Sequence, residues 1–436
     1  MKSGFVCFVL SVQLVVASVP LIHPVFEWIN TEFDYPSLEA RQDAINSGEF
    51  IERVSRPSDI DVYYDENEEP KYFLTFPRTG RGTPVTLGTM TDKILNDSPV
   101  IAPYPSWEWH QNLNQCSQKR IVSVFRIKID ECQRLWVLDT GVIIGTPLRC
   151  PPQILAFDLK TNTLIHQYEI PASQVQSTSV FNLPVVDVRD SKTCKGTFVY
   201  AADTRGFGLI VHDVDNKASW RITDKTMHAN SDFGTLCIDG SRYEIMDGIQ
   251  GMALSPHQKE KDRVLFYHAL ASNSEQYVWT SQIRNRTAFL TTTSPNPDIF
   301  HMYCGRRDTQ SFPMVINKHG IAYFGLSDYT SFNCWNTRAP YRKRNIHELY
   351  KNPVTLQYIN GLKLITRRNG DEEIWLINSR LRRVVSGPSN STEINFRVQM
   401  GEVKAFEDKC YQSWSSMECV GEFNNCRSCY NCVVND

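Results

Sequence analysis

The chain has 436 residues, a hydrophobic fraction of 41% and a formal net charge of −2. This hydrophobic content is ample for a core. The charge is nearly balanced and contains no long run of one sign, so nothing draws the chain electrostatically to nucleic acid or to an anionic membrane. We therefore expect neither a nucleic acid partner nor a membrane partner.

The first residues are typical of a secretory signal peptide. Lys2 supplies a positive charge, residues 5–16 form an apolar segment, and Ala17 and Ser18 are the small residues that a signal peptidase requires. We predict a signal peptide over residues 1–18. No later stretch approaches the roughly eighteen consecutive apolar residues of a membrane-spanning helix. The sequence therefore predicts a secreted, extracellular protein.

Cysteines and glycosylation sequons agree with secretion. Loss of the signal peptide removes Cys7 and leaves twelve of the 13 cysteines, an even number that favours disulfides in an oxidising compartment. Three Asn-x-Ser/Thr sequons begin at Asn96, Asn285 and Asn390, and such sequons are glycosylated only in secretory traffic. We predict a disulfide-bonded glycoprotein.

Residues 19–70 are polar and acidic, and we predict that they form an N-terminal lead-in outside the main domain. Within them, the segment ARQDAINSGEFI (residues 40–51) predicts one short helix. The segment DENEEP (residues 65–70) then predicts a turn.

Short strand-like runs separated by Pro, Gly, Asn and Asp dominate residues 71–410. Two of them, RLWVLDTG (residues 134–141) and FVYAADTRG (residues 198–206), lead β-branched and aromatic residues into Asp-Thr and then Gly. Looser copies bring the number to six, at a spacing of about 50 to 67 residues that is typical of repeat folds. The four looser copies are KYFLTFPRTG (residues 71–80), RVLFYHALASN (263–273), IAYFGLSDYT (321–330) and EIWLINSRL (373–381).

A radial arrangement accounts for this period, because a four-stranded sheet with its turns needs roughly 40 to 60 residues. A solenoid would need a shorter period and capping repeats, and neither is visible. We predict an all-β fold, a six-bladed β-propeller over residues 71–410. Residues 411–436 are rich in cysteine and poor in aliphatic residues, so we predict a cysteine-rich C-terminal tail appended to the propeller.

Six motifs, taken together and in order, resemble the insect yellow and major royal jelly protein family. They are RLWVLDTG, PQILAFDL (residues 152–159), FVYAADTRGFGLIVHD (198–213), DGIQGMALSP (247–256), FNCWNT (332–337) and EIWLINSRL. The resemblance covers nearly the whole mature chain and implies a secreted six-bladed propeller, in agreement with the count of six runs. It also implies two long-range disulfides, Cys132–Cys194 and Cys334–Cys410, the second of which would help to close the ring.

Eight cysteines remain unassigned. The spacing of Cys426, Cys429 and Cys432 suits an iron–sulfur or zinc site only if a fourth ligand exists, and secretion disfavours both, so we predict no metal and no cofactor. A local disulfide knot and intermolecular cross-linking of an extracellular matrix both stay open. The eight are Cys116, Cys150, Cys237, Cys304, Cys419, Cys426, Cys429 and Cys432.

Polar residues at the ends of equivalent strands are expected to converge on a propeller's central channel. Such a ring can hold a small cationic or catecholic ligand through charge-assisted hydrogen bonds. The resemblance matches Asn378 to an asparagine of amine-binding members, with Tyr358 and Asn360 nearby. For each acid, the alternative is an Asx-turn that bonds its own backbone. The candidates are Asp139, Thr140, Asp203, Arg205, Asp247, Asp328 and Asn378.

No metalloprotease, α/β-hydrolase or phosphate-loop motif is present. His212 and His268 are isolated, and we interpret them as packed residues rather than bases. The resemblance implies dopachrome conversion as one activity of the family. That isomerisation needs a base and a cation for the substrate carboxylate, and position makes Asp203 and Arg205 the catalytic candidates.

Three functions follow from these predictions. The first is a secreted protein of an insect extracellular matrix, cuticle or eggshell, that supports pigmentation, hardening or cross-linking and has matrix proteins as partners. The second is a dopachrome-converting enzyme of the melanin pathway. The third is a binder of biogenic amines. The expected small ligand is accordingly a catechol or an amine.

Overall fold

The computed structural model describes residues 21–411 except 114, 239, 259–260, 295 and 381–388. The predicted signal peptide and the cysteine-rich tail, with Cys419, Cys426, Cys429 and Cys432, lie outside the described residues. Within the described ranges, no helix is long and apolar enough to cross a membrane.

The strands form six sheets, or blades, around a central axis, together with one separate hairpin. The chain starts with β1 (His23–Trp28), β2 (Glu32–Phe33) and the helix α1 (Leu38–Ser47). The first blade contains β3 (Asp59–Tyr64), β4 (Pro70–Thr75), β5 (Leu87–Leu95) and β6 (Ser98–Pro103), with β2 at its edge. The second contains β7 (Val124–Ile129), β8 (Arg134–Asp139), β9 (Gln153–Asp158) and β10 (Thr163–Glu169). The third contains β11 (Phe181–Asp190), β12 (Lys195–Asp203), β13 (Gly208–Asp213) and β14 (Ala218–Ile222).

The second half of the chain continues this order. The hairpin of β15 (Thr235–Ile238) and β16 (Ser241–Glu244) precedes the fourth blade. That blade contains β17 (Ile249–Leu254), β18 (Val264–Ala269), β19 (Gln276–Trp279) and β20 (His301–Met302), with the helix α2 (Thr280–Arg284) between the last two strands. The fifth contains β21 (Ser311–Ile316), β22 (Ile321–Leu326), β23 (Ser331–Asn336) and β24 (Ile346–Lys351). The sixth contains β25 (Tyr358–Thr366), β26 (Glu372–Ser379), β27 (Phe396–Glu402) and β1.

The six predicted repeats are the second strands of the six blades, namely β4, β8, β12, β18, β22 and β26. A second strand has neighbours on both edges and packs against other blades on both faces, so its central residues are apolar. For example, every residue of β22 (IAYFGL) is buried. The prediction of an all-β, six-bladed propeller is confirmed.

The ring closes because β1 pairs antiparallel with β27, so the last blade contains both the first and the last strand of the described chain. The prediction of a separate lead-in over residues 19–70 is therefore wrong, because this stretch supplies β1, β2 and β3 to the sheets. Its predicted helix is present as α1. The side chain of Ser37 accepts a hydrogen bond from the backbone N of Ala40 at 3.1 Å, and Gly48 ends the helix with φ of +73°.

Three disulfides between described residues fix the blades and loops. Cys132–Cys194 joins the second blade to the third, and Cys334–Cys410 joins the fifth blade to the segment that follows β27. Both are the pairs that the family resemblance implies. The third, Cys116–Cys150, was left open by the sequence, and it ties the approach to β7 to the loop between β8 and β9.

Candidate functional site

A cavity of about 180 Å³ lies on the axis of the propeller. Its walls are the beginnings of the inner strands β3, β7, β11, β17 and β25, together with the loops that follow the second strands of the first three blades. The lining is mostly polar and contains three charged groups and one phenol. The principal lining residues are Ser58, Thr79, Phe125, Arg126, Asn182, Thr204, Arg205, Asp247, Gln250, Tyr358 and Asn360.

Irregularities in the inner strands place polar side chains in this cavity. The pairing register shifts at Arg126 in β7, at Asn182 in β11, at Gln250 in β17 and at Asn360 in β25. A β-bulge re-aims the side chain of its extra residue. Each of these four blades therefore buries the apolar residues of its inner strand and still presents a polar group to the axis.

Arg126 spans the cavity and joins four blades. Its Nε and Nη2 donate to the carbonyl oxygen of Asn360 at 3.2 and 2.9 Å, and its Nη1 donates to Asn182 Oδ1 at 3.2 Å and to Gln250 Oε1 at 2.8 Å. Within the described part of the chain, no carboxylate forms an ion pair with it. Burial lowers the pKa of Arg126, while the nearby charge of Asp59 opposes that shift. The cavity therefore contains a buried positive charge held by neutral groups.

Asp247 and Arg205 form an ion pair at the same cavity. Asp247 Oδ1 accepts from Arg205 Nε at 3.2 Å, and its Oδ2 accepts from Gln250 Nε2 at 3.3 Å. The side chain of Arg205 is 49% exposed and that of Asp247 is 16% exposed. Gly248 permits this arrangement, because a Cβ at that position would lie 2.7 Å from the carbonyl oxygen of Thr204. Asp247 is thus partly accessible and held by two long hydrogen bonds only.

Tyr358 contributes a phenol to the cavity wall. Its ring packs edge-on against Phe312 with 4.6 Å between centroids. Burial raises the pKa of Tyr358 to about 12, Arg126 opposes that shift and Asp247 adds to it. The phenol therefore stays protonated at neutral pH and is a hydrogen-bond donor.

The structure brings only some of the predicted site residues together. Arg205 and Asp247 line the cavity, as do Tyr358 and Asn360. The remaining predicted residues do not line it. They are Asp139, Thr140, Asp203, Asp328 and Asn378.

Asp203 and Asp139 are completely buried and saturated with hydrogen bonds. Asp203 accepts from the backbone N of Val180 at 2.9 Å and of Gly206 at 3.0 Å, and from Arg221 Nη1 at 2.8 Å. Asp139 accepts from three backbone N–H groups, including that of Gly141 two residues later at 3.1 Å. Both acids therefore bond to backbone N–H groups, as in the Asx-turn alternative, and neither lines the cavity.

Thr140, Asn378 and Asp328 also lie elsewhere. Thr140 is buried and its Oγ1 accepts from the backbone N of Phe181 at 3.1 Å. Asn378 is buried and donates from Nδ2 to Gln399 Oε1 at 2.6 Å. Asp328 is exposed on the fifth blade.

His268 and His212 are packed within the blades, as their isolation in the sequence indicates. The two ring nitrogens of His268 contact Glu275 Oε2 and the carbonyl oxygen of Phe312, both at 2.9 Å. His212 Nδ1 contacts the carbonyl oxygen of Ala218 at 3.0 Å, and its Nε2 contacts His166 Nε2 at 2.9 Å. Neither ring lines the central cavity.

Arg126, Asn182 and Gln250 were not predicted from the sequence, because the candidates were mainly residues at the ends of the second strands. A signal for these residues does exist. Each is a polar residue near the start of a mainly apolar run, in VFRIKI, FNLPVV and IQGMAL, and each run precedes a second strand. An isolated polar residue at that point marks the bulge that faces the axis.

The cavity combines a partly accessible carboxylate, a protonated phenol and two guanidinium groups. A carboxylate can remove a proton from carbon, and the phenol and guanidinium groups can stabilise negative charge that develops on an oxygen. The arrangement therefore suits an isomerisation in which protons move from carbon to oxygen within one molecule.

Comparison with known proteins finds relatives along most of the chain. A family model described as "Major royal jelly protein" matches residues 122–410. Major royal jelly protein 9 of Apis mellifera is 35% identical over 384 residues, 86% of each chain. Major royal jelly protein 1 of Apis mellifera is 34% identical over 402 residues, 88% of each chain. Dopaminechrome tautomerase of Drosophila melanogaster is 30% identical over 385 residues, 87% of this chain and 81% of that one.

Proposed function

The chain belongs to the major royal jelly protein family, and from this premise we propose that it acts outside the cell as a tautomerase of catechol-derived aminochromes. The observation that carries the proposal is the position of Asp247 beside Arg205 in a cavity that also contains Arg126 and Tyr358. The relative named dopaminechrome tautomerase supports the choice of substrate class.

The reaction requires only proton transfers. An aminochrome carries two quinone oxygens and a five-membered ring with saturated carbons. Tautomerisation moves two protons in turn from those carbons to the two oxygens and produces a dihydroxyindole, with no oxidant and no change in composition. Each removal from carbon needs a base, and each step develops negative charge on an oxygen.

We assign these roles within the central cavity. Asp247 accepts the carbon-bound proton, because it is the lining carboxylate and only long hydrogen bonds hold it. Tyr358 donates to the quinone oxygen, and the charge of Arg126 stabilises that oxygen. General acid–base catalysis of this kind contributes about 10²- to 10⁴-fold in rate. Asp203 is not the base in this proposal, because all its hydrogen-bonding capacity is used inside the third blade.

The charges of the cavity favour this substrate over an amine. Arg126 and Arg205 contribute two positive charges and Asp247 one negative charge, so the lining is positive by one. A cationic amine would be repelled by the guanidinium of Arg126, whereas quinone oxygens or a substrate carboxylate would be attracted. We therefore place amine binding below tautomerisation.

The test is to follow the loss of dopaminechrome, and separately of dopachrome, with the purified disulfide-intact protein against a heat-inactivated control. We expect saturable acceleration, and we expect Asp247→Asn to lower kcat by at least about 100-fold. Asp328→Asn is the matched control, because it is the same change at an exposed acid of another blade. No acceleration by the wild-type protein, or full activity of Asp247→Asn, would contradict the proposal.

A role in hardening or cross-linking cuticle or eggshell stays a prediction, because it rests on tail cysteines outside the described residues. Matrix-bound material that enters a gel only after reduction would support it. Material that is fully extracted without reduction, as monomer, would count against it.

A further inference from the structure

A second and larger cavity, of about 580 Å³, lies beside the central one. Its walls are the end of α1, the loop between β4 and β5, residues 110–113, and the loop between β8 and β9. Arg78 and Ile143 line this cavity, while their chain neighbours Thr79 and Ile144 line the central one. Two loops thus separate the cavities, and none of the residues assigned to tautomerisation lines the second.

The charges on the walls are strongly unequal. Arg78, Arg81 and Arg149 contribute three positive charges, and Glu49 contributes one negative charge. Burial lowers the pKa of His110 to about 3, so this remaining titratable group is neutral. The lining therefore carries a formal charge of +2 near neutral pH.

Arg78 is the buried source of this charge. The residue is 3% exposed, and its guanidinium donates to the carbonyl oxygens of Thr83, Ile121, Val122, Pro84 and His110. No carboxylate among the described residues forms an ion pair with it. Buried charges are normally paired with an opposite charge. Burial lowers the pKa of Arg78 to about 10, and the positive charge of Arg149 adds to that shift while Glu49 opposes it.

The walls are held in place and offer neutral polar groups. The disulfide Cys116–Cys150 links residues 110–113 to the loop that contains Arg149. Gly48 and Gly82 adopt φ of +73° and +92°, left-handed conformations that favour glycine, so these two positions of the walls have no side chain. Hydroxyl and amide groups then complete the lining, at Ser47, Thr83, Asn112 and Thr146.

We propose that this second cavity binds a small hydroxylated organic anion, of which a sugar carrying a phosphate, sulfate or carboxylate group is the representative. The net positive lining, with Arg81 and Arg149 exposed for direct contact, selects the anionic group. The hydroxyl and amide groups suit a hydroxylated body. The volume lies within the range of about 300 to 1,000 Å³ that is usual for small-molecule sites.

Calorimetric titration of the intact protein tests this with glucose 6-phosphate, glucose 6-sulfate and glucuronate, and with glucose as the neutral control. We expect at least one anion to bind with a Kd below ~1 mM and glucose not to bind. The three anions distinguish a phosphate, a sulfate and a carboxylate ligand. Failure of all three to bind below ~10 mM, or equal binding of glucose, would overturn the proposal.

Variants of opposite sign make the test specific. Arg81→Ala and Arg149→Ala should each weaken binding about tenfold, because each removes a charge-assisted contact. Glu49→Gln should tighten it about threefold, because it removes a repulsive charge. Arg344→Ala, an exposed arginine in the loop before β24, should leave the affinity unchanged. Thermal unfolding of each variant confirms that it is folded.

Two further outcomes bear on the proposal. Weaker binding by Glu49→Gln would show that the charge of the lining does not select the anion, and equal weakening by Arg344→Ala would show that the anion responds only to the overall charge of the protein. Either result would overturn the proposal. Asp247→Asn should bind the anion normally. The anion-binding proposal and the tautomerase proposal can therefore fail independently of each other.

Discussion

Substituting Asn for Asp203 and for Asp247 should have opposite effects on stability and activity. In Asp203→Asn, the new amide group faces Arg221, whose Nη1 lies 2.8 Å from the replaced oxygen. Both groups then donate, the buried ion pair is lost, and the guanidinium of Arg221, 4% exposed, has no opposite charge. Breaking a buried pair from one side costs about 3 to 5 kcal/mol. The two backbone bonds to the other oxygen survive, so we expect destabilisation by about 3 kcal/mol rather than complete unfolding.

Asp247→Asn removes a pair whose arginine is half exposed, so it should change the free energy of unfolding by less than about 1 kcal/mol. The assay measures urea unfolding of both variants and tautomerase activity per folded molecule, well below the unfolding midpoint. We expect Asp203→Asn to be less stable and active, and Asp247→Asn to be stable and inactive. A stable, inactive Asp203→Asn protein would refute this reasoning and would restore Asp203 as the base.

Two further predictions concern pH and glycosylation. Burial lowers the pKa of His212 to about 3, so the folded protein binds fewer protons than the unfolded chain, whose histidines titrate near 6.5. His212 alone should therefore contribute a loss of about 2 kcal/mol between pH 6.5 and pH 4.5 in urea unfolding, in addition to the loss from other buried histidines such as His110. His212→Gln should make the decline shallower by about that amount, and the exposed-site control His257→Gln should not. Equal slopes in all three proteins would contradict the assignment. The sequon residue Asn285 is exposed, and its Oδ1 accepts from the hydroxyl of Thr287 at 2.6 Å. We therefore predict that Asn285→Gln lowers the mass of the expressed protein by one N-glycan, as measured by mass spectrometry. An unchanged mass would contradict this prediction.

How much the sequence could reveal depended on where each strand lies in its blade. Second strands such as β22 are buried on both faces, so their apolar runs are continuous and their number gave the number of blades. Inner strands carry single polar residues at bulges, and a bulge depends on pairing register, which a single sequence does not display. The edge strand β1 was missed because its half-exposed, mixed sequence becomes a strand only by pairing with β27.

The acids at strand ends show a different limit. Asp139 and Asp203 occupy equivalent positions at the ends of second strands. Their carboxylates accept hydrogen bonds from buried backbone N–H groups, and this structural role explains why the motif is repeated. Asp247 has the same residue type and a similar Gly neighbour, but it precedes an inner strand and thus reaches the axis. The type of residue was enough to predict that acidic side chains occur near the cavity. Which of these acids is accessible depends on whether it follows a second strand or precedes an inner strand.

Closure of the last blade by β1 has a consequence for biogenesis. Glu27 on β1 meets Arg397 on β27 across a separation of 370 residues. The first of the described strands therefore pairs only after almost the whole described chain has been synthesised. At roughly 5 to 20 residues per second, that interval is about 20 to 70 seconds. During it, β1 is an unpaired edge that can pair with other chains. A chain arrested before β27 would lack the strand that joins β26 to β1, so its ring would stay open.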